Sequence, residues 1–309
     1  MAAFTRTAGY ENLPKGNFSP TIYSKKAQLA FRKTSVIQAI TNTEYFGEIS
    51  AFGDTVRIIK EPNITVSAYT RGQNVTPQDL DDEELTLTVD KANKFSFKVD
   101  DIEVQQAHHN WEQMATDQGG YRLADAMDSE IITYMTTQVT TANTTGTNGD
   151  PADLVTAKAA GDFTPLQLMN KFQRLLDEAK VPAEGRWFVA DPYFYELLGD
   201  EDSQLLSADY TSKGIVRNGR ISDGIVRGFT LHKSNNMLTV GTGPTATSGS
   251  NYGWILAGHM SSTATAEQIN NVEVLRDPHS FADIIRGLHV YGRKVLRTEA
   301  IVASRYHTA

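Results

Sequence analysis

His108, His109 and Glu112 are the residues that come nearest to a metal site, because His108 and Glu112 are four apart and would share one face of a helix. The second histidine that completes an H-E-x-x-H pattern is missing, so a solvent-facing polar patch is the better reading. Asp79, Asp81, Asp82, Glu83 and Glu84 crowd carboxylates as a calcium loop does. They lack the EF-hand order and its central glycine, and read as a charged loop tip. Gly241-Thr242-Gly243-Pro244 has neither spacing of the phosphate-cradling glycine loops. There is no G-x-S-x-G, and with no cysteine there is no thiolate ligand, thiol nucleophile or disulfide framework. These residue types point away from an enzyme and imply neither cofactor nor metal.

The elements that would carry any such groups must be built without covalent staples. The chain has 309 residues, 40% of them hydrophobic, with 29 Lys and Arg against 37 Asp and Glu. That composition supports a packed core and excludes wholesale disorder, and the length suggests about two folding units. No apolar run reaches membrane-spanning length, and the first residues lack the apolar stretch of a secretion signal. Charge is segregated. Arg6, Lys15, Lys25, Lys26, Arg32 and Lys33 face only Glu11 in the first 33 residues, and the last 34 are also basic, so the middle is strongly acidic. An acidic middle argues against a sequence-specific nucleic-acid binder; the basic ends could touch phosphate or an acidic partner.

Residues 1–22 read as an extended arm, and Ser24 to Ile40 as a weak helix. Thr55 to Ile59 alternates as a strand. Leu85, Leu87 and Val89 share one strand face, and Phe95, Phe97 and Val99 repeat the pattern, which predicts a β-hairpin arm with a solvated tip. Such a hairpin is marginal alone and needs a neighbour to lie on. Asp100-Asp101 caps a long helix through Trp111, Met127 and Met135, about 57 Å long if it continues to Val139. Gly119-Gly120 should weaken or bend it. Thr164-Pro165 and Asp191-Pro192 each start a helix, with Trp187 to Ala190 a buried strand between them. Gly214-Ile215-Val216-Arg217 recurs as Gly224-Ile225-Val226-Arg227, two short β-turn units, and Val272 to Tyr306 reads as closing strands.

The order of these parts resembles the major capsid (coat) protein family of tailed bacteriophages, the Hong Kong phage-type capsid fold. Phe52-Gly53-Asp54-Thr55-Val56, Thr76 to Glu84 and Leu85 to Asp101 are similar to the coat proteins of short-tailed phages, in which a G-D-T-V strand opens the extended loop. Val181-Pro182 through Asp191-Pro192-Tyr193, with Gly219-Arg220-Ile221 and Gly228 to Asn235, is similar to its axial domain. The resemblance implies an α+β chain divided into an N-terminal arm (1–44), a first part of the peripheral domain (45–54), an extended β-hairpin loop (55–99), a peripheral domain with a spine helix (100–162), an axial domain (163–265) and closing strands of the peripheral domain (266–309).

It further implies a structural protein, not an enzyme, self-assembling into hexameric and pentameric capsomers of an icosahedral shell around double-stranded DNA. Such a protein is assembled in the host cytoplasm and resides in the virion. Leu85, Leu87, Val89, Phe95, Phe97 and the Asp79–Glu84 tip would contact neighbouring copies. The basic arm would meet a scaffolding protein or the packaged DNA, the latter without sequence specificity. A portal and a decoration protein are further expected partners, and a membrane is not. The alternatives are a cytosolic enzyme or ligand-binding domain with a site near Arg186, Asp191 and His232, or another phage structural protein such as a tail tube subunit, which the long internal helix disfavours.

Overall fold

A computed structural model describes residues 32–33, 35–44, 55–59, 62, 64–72, 74, 77–78, 84–102, 111–140, 143–145, 152–154, 164–199, 216–217, 220–221, 225–237 and 253–308. The larger of its sheets has seven strands. These are β4 (Thr144–Thr145), β5 (Ala152–Leu154), β6 (Arg186–Ala190), β9 (Ile225–Val226), β10 (Phe229–Lys233), β11 (Gly253–His259) and β14 (Ile301–Thr308). They run in the order β4-β14-β11-β6-β10-β9, with β5 also on β14. Every residue of β6 is buried, as expected of a central strand covered on both faces.

Alternation along β6 sends its side chains to two cores. Phe188 and Ala190 join Phe172, Leu176, Phe194, Phe229 and Tyr306 beneath helices α3 (Pro165–Glu178) and α4 (Pro192–Leu198). Trp187 and Val189 join Ile131, Ile132 and Met135 of helix α2 (Trp111–Gln138), together with Val36, Ile37 and Ile40 around the short helix α1 (Ile37–Ile40). Sequence dictates the helix ends here. Thr164 Oγ1 accepts from Gln167 N while Gln167 Oε1 accepts from Thr164 N, a reciprocal cap ahead of Pro165. Lys180, with φ of 58°, closes α3 as Val181 N donates to Leu176 O.

The second body is a three-stranded sheet, β12 (Thr263–Arg276), β13 (Ala282–Val295) and β3 (Lys91–Asp100), in that order. Helix α2 packs against β13 and β3, so one helix braces both sheets. Strands β1 (Thr55–Ile59) and β2 (Glu84–Thr88) form a separate antiparallel pair, with Thr55 opposite Thr88 and Ile59 opposite Glu84. Strands β7 (Val216–Arg217) and β8 (Arg220–Ile221) pair with each other, and β9 turns into β10 through Arg227 and Gly228, both with positive φ. The two echoed segments therefore each supply a strand to a short turn unit.

Four expectations change. The arm's strands are β1 and β2; the Phe95–Val99 stretch belongs to β3 and pairs with β13, because its Phe95 side chain is claimed by α2. The segment 266–309 is not one unit, since β12 and β13 close the three-stranded sheet while β14 crosses into the seven-stranded one, where Val302 and Tyr306 fill the core. Gly119-Gly120 does not interrupt α2, which is helical from Trp111 to Gln138. A Cβ on Gly119 would stand 2.9 Å from the Phe95 ring, so the missing side chain makes a seat for that ring. Of the expected Ser24–Ile40 helix, only Ile37–Ile40 is helical among the described residues, and 24–31 lie outside them.

Candidate assembly surface

The root of the limb is built by alternation. Val56 and Ile58 of β1, with Leu87 of β2 and Val89 just beyond it, turn inward onto Ala264, Ala266 and Leu296. Thr55, Arg57, Ile59, Glu84, Thr86 and Thr88 turn outward. Past the root, residues 64–72 are all exposed. Ile64 is 67%, Val66 92% and Tyr69 69% exposed, and Ile59 at the end of β1 is 73% exposed. Thr65 N donates to the Gln78 side chain at 3.0 Å, tying the two sides of the limb together. Four large apolar side chains therefore stand in water along this stretch.

The residues chosen from sequence divide differently. Leu87 is fully buried inside its own chain, and Leu85 and Val89 are half-buried at the root. Phe95 lies in its own helix–sheet interface with Phe97 stacked on it, ring centroids 6.0 Å apart. Glu84 is exposed and 3.4 Å from Arg57. Asp79, Asp81, Asp82 and Glu83 lie outside the described residues, as do Arg6, Lys15, Lys25, Lys26, His108, His109 and Gly241–Pro244; the Glu112 side chain is likewise not described. Ile59, Ile64, Val66 and Tyr69 went unselected, although apolar residues alternating at Ile64 and Val66 without a predicted partner were the available signal.

Arg32 and Lys33 are spent within the chain. The Arg32 guanidinium sits 5.5 Å over the Tyr121 ring, and Lys33 Nζ donates to Asn236 Oδ1 at 2.7 Å, 3.5 Å from Asp125. They lead into a strap fastened by Asp128, which is 1% exposed. Its Oδ1 accepts from Ser35 Oγ (2.8 Å), Val36 N (3.1 Å) and Ile37 N (3.2 Å), and its Oδ2 from Asn236 Nδ2 (3.1 Å). One carboxylate on α2 therefore joins the strap to the turn that follows β10.

Arg186 and Asp191 stand at opposite ends of β6, and His232 on β10 pairs with Val189 between them. The buried Arg186 guanidinium is a loop staple, donating to Pro182 O (2.8 Å), Val181 O (2.6 Å) and Asp177 Oδ1 (2.7 Å). Asp191 Oδ1 caps α4 through Phe194 N at 3.0 Å and accepts from the Tyr306 hydroxyl. Desolvation raises the Asp191 carboxyl above the usual carboxylate range, against the opposing pull of the Tyr306 and Phe194 hydrogen bonds. A raised folded value favours the protonated form, so this contribution to stability is complete below the unfolded carboxylate value and is lost as pH rises through the folded one. Asp191→Asn, which keeps an oxygen for the cap, should therefore flatten stability against pH on the alkaline side of pH 4 in urea titrations. An unchanged slope would exclude this role.

A groove of about 210 Å³ runs between the strap, α2 and the three-stranded sheet, lined by Leu123, Met127, Phe95 and Val272 with Asp128, Glu267 and His289 among its polar groups. Its Asp128 is already saturated by the strap, and His289 Nε2 lies 3.7 Å from Glu267. No cluster able to hold a metal ion occurs among the described residues.

A family model described as phage capsid protein matches residues 82–304. None of the curated proteins matches the chain. Among solved structures, one of Mycobacterium phage Che8 is 29% identical, with 94% of this chain and 97% of that chain covered at a TM-score of 0.74. The capsid of cyanophage P-SCSP1u is 16% identical, covering 94% and 93% at 0.70, and the mature capsid of bacteriophage PhiM1 is 17% identical, covering 99% of both at 0.68. The last two share the fold.

Proposed function

The chain belongs to the phage capsid protein family, and from that premise we propose how its parts serve a shell. It is a major capsid protein, a structural protein rather than an enzyme, and its place is the virion shell formed by copies of itself. The observation that carries the reading is the family match across 82–304, joined to structural similarity over 94% of the chain.

Beyond that, the copies gather as hexamers and pentamers, with residues 163–265 toward the capsomer axes and the three-stranded sheet with α2 toward the periphery. The limb crosses onto a neighbouring copy through Ile59, Ile64, Val66 and Tyr69, whose exposure in the single chain supports this role. Interfaces of this kind are individually modest and gain strength by repetition around a ring. Since Arg32 and Lys33 hold their own chain, the partner-facing cations of the arm are Arg6, Lys15, Lys25 and Lys26. Their counterparts are an acidic surface of a scaffolding protein during assembly, or phosphates of the packaged DNA. A portal and a decoration protein complete the set of partners. Electron microscopy of the purified protein, alone and with its scaffold, tests the reading: closed shells or capsomer rings are expected, and a compact monomer under every assembly condition would refute it.

A further inference from the structure

The groove between the strap, α2 and the three-stranded sheet has an apolar wall and an unused acceptor. Phe95, Leu123, Met127 and Val272 form the wall. Among the polar groups, both Asp128 oxygens accept from the strap and Asn236, and Thr265 Oγ1 lies 3.0 Å from Thr41 Oγ1. His289 is different. It is 5% exposed, and its Nδ1 has no hydrogen-bond partner among the described residues. Glu267 Oε2 stands 3.7 Å from Nε2 on the other edge of the ring. A carboxylate there keeps the proton of the neutral ring on Nε2, which leaves Nδ1 an acceptor without a donor. Such a buried orphan is costly and is satisfied by whatever brings a donor. Strand β12 also carries one extra residue between Glu267 and Ile269 against β13, a bulge of the kind that re-aims side chains beside binding sites.

We infer that the groove binds a small uncharged aromatic alcohol, with its ring against Phe95, Leu123 and Met127 and its hydroxyl donating to His289 Nδ1. The ligand's chemistry follows from the walls. Aromatic rings and thioethers both pack favourably on an aryl body. An apolar cavity of about 150 Å³ takes up benzene, so the 210 Å³ of this groove has room for a ring and about two further carbons. An anion would lie beside the Asp128 and Glu267 carboxylates. An ammonium would shed its water for one neutral acceptor, since Asp128 is saturated and Glu267 lies on the Nε2 edge. A molecule seated there touches the strap, α2 and the sheet at once, and so stiffens the joint that Asp128 fastens. The site lies within one copy and does not rest on the shell reading.

Titration of the full-length chain with 4-ethylphenol, read from the Met127 ε-methyl resonance, should saturate with a Kd on the order of 0.1 mM. Ethylbenzene, which lacks the donor, should bind about tenfold more weakly. 4-Ethylbenzoate and 2-phenylethylamine, of opposite charge and similar size, should be weaker than 4-ethylphenol by at least about tenfold. About 1 mM 4-ethylphenol should raise the melting temperature by about 3 °C. His289→Phe should bind 4-ethylphenol and ethylbenzene alike. Ala124→Leu, at an exposed position on the rim of the groove, should melt like the wild type and lose the 4-ethylphenol response. A Met127 resonance that does not move, ethylbenzene or 2-phenylethylamine binding as tightly as 4-ethylphenol, or undiminished binding by Ala124→Leu overturns the site.

Discussion

Gly287→Ala is expected to cost about 3 kcal/mol of folding stability, although alanine is ordinarily the better strand residue. Gly287 lies inside β13 opposite Phe95 of β3. A Cβ there would stand 2.2 Å from Phe95 Cε1, while on α2 the missing side chain of Gly119 leaves only 2.9 Å to the same ring. The ring is held between two glycines, and its remaining open side is the groove that it lines with Leu123 and Met127. No left-handed backbone angle is involved, since Gly287 is not among the positive-φ glycines. The penalty is steric and should be relieved from the partner's side. Phe95→Leu combined with Gly287→Ala should recover more than half of the loss, giving a large coupling in a double-mutant cycle read by urea unfolding. A neutral or stabilising Gly287→Ala would show that the helix and sheet are not locked through this notch.

Asp128→Ala should be of similar size, about 3–5 kcal/mol, because it strips the acceptor from two main-chain N–H groups, a hydroxyl and the Asn236 amide in a closed environment. The strap should then exchange its amides rapidly at Val36 and Ile37. Asp128→Asn keeps one oxygen for the strap but sets an NH2 against Asn236, and should cost about 1 kcal/mol. Equal melting temperatures for wild type and Asp128→Ala would remove the carboxylate from its role as fastener. Because Asp128 joins α2, the strap and the turn after β10, its loss should loosen the seven-stranded sheet from the strap as well as the strap from the helix.

Local signals were legible where they act locally. Thr164-Pro165 and Asp191-Pro192 mark real helix starts because the cap bonds they make lie within three residues. The all-apolar run at Trp187–Ala190 announced a doubly covered strand. The order of elements along the chain pointed to the capsid fold that the comparisons bear out. What escaped is pairing across long sequence separations. Phe95 looks the same whether β3 pairs with β2 a few residues away or with β13 far along the chain, since both use alternation of period two. The resemblance placed strand β14 with the closing strands of the peripheral sheet, and alternation alone does not say which sheet a strand joins. Asp128 read as one polar residue on a helix, for nothing local reveals the donors that a distant strap and turn bring to it.

The limb surface was half legible. The hairpin arm was expected, but its most regular apolar residue, Leu87, serves the root, and the exposed anchors lie in a stretch whose own chain offers it little cover. Leaving Ile64, Val66 and Tyr69 in water wastes apolar surface worth roughly 25 cal/mol for each Å² that a neighbour would cover.

Hydrogen–deuterium exchange across Ile64–Thr70, compared between free subunits and assembled shells, tests the central claim most directly. Amides there should exchange quickly in the free subunit and become strongly protected on assembly, while those of β6 remain slow in both. Shells in which Ile64–Thr70 exchanges as fast as in the isolated chain would contradict the account.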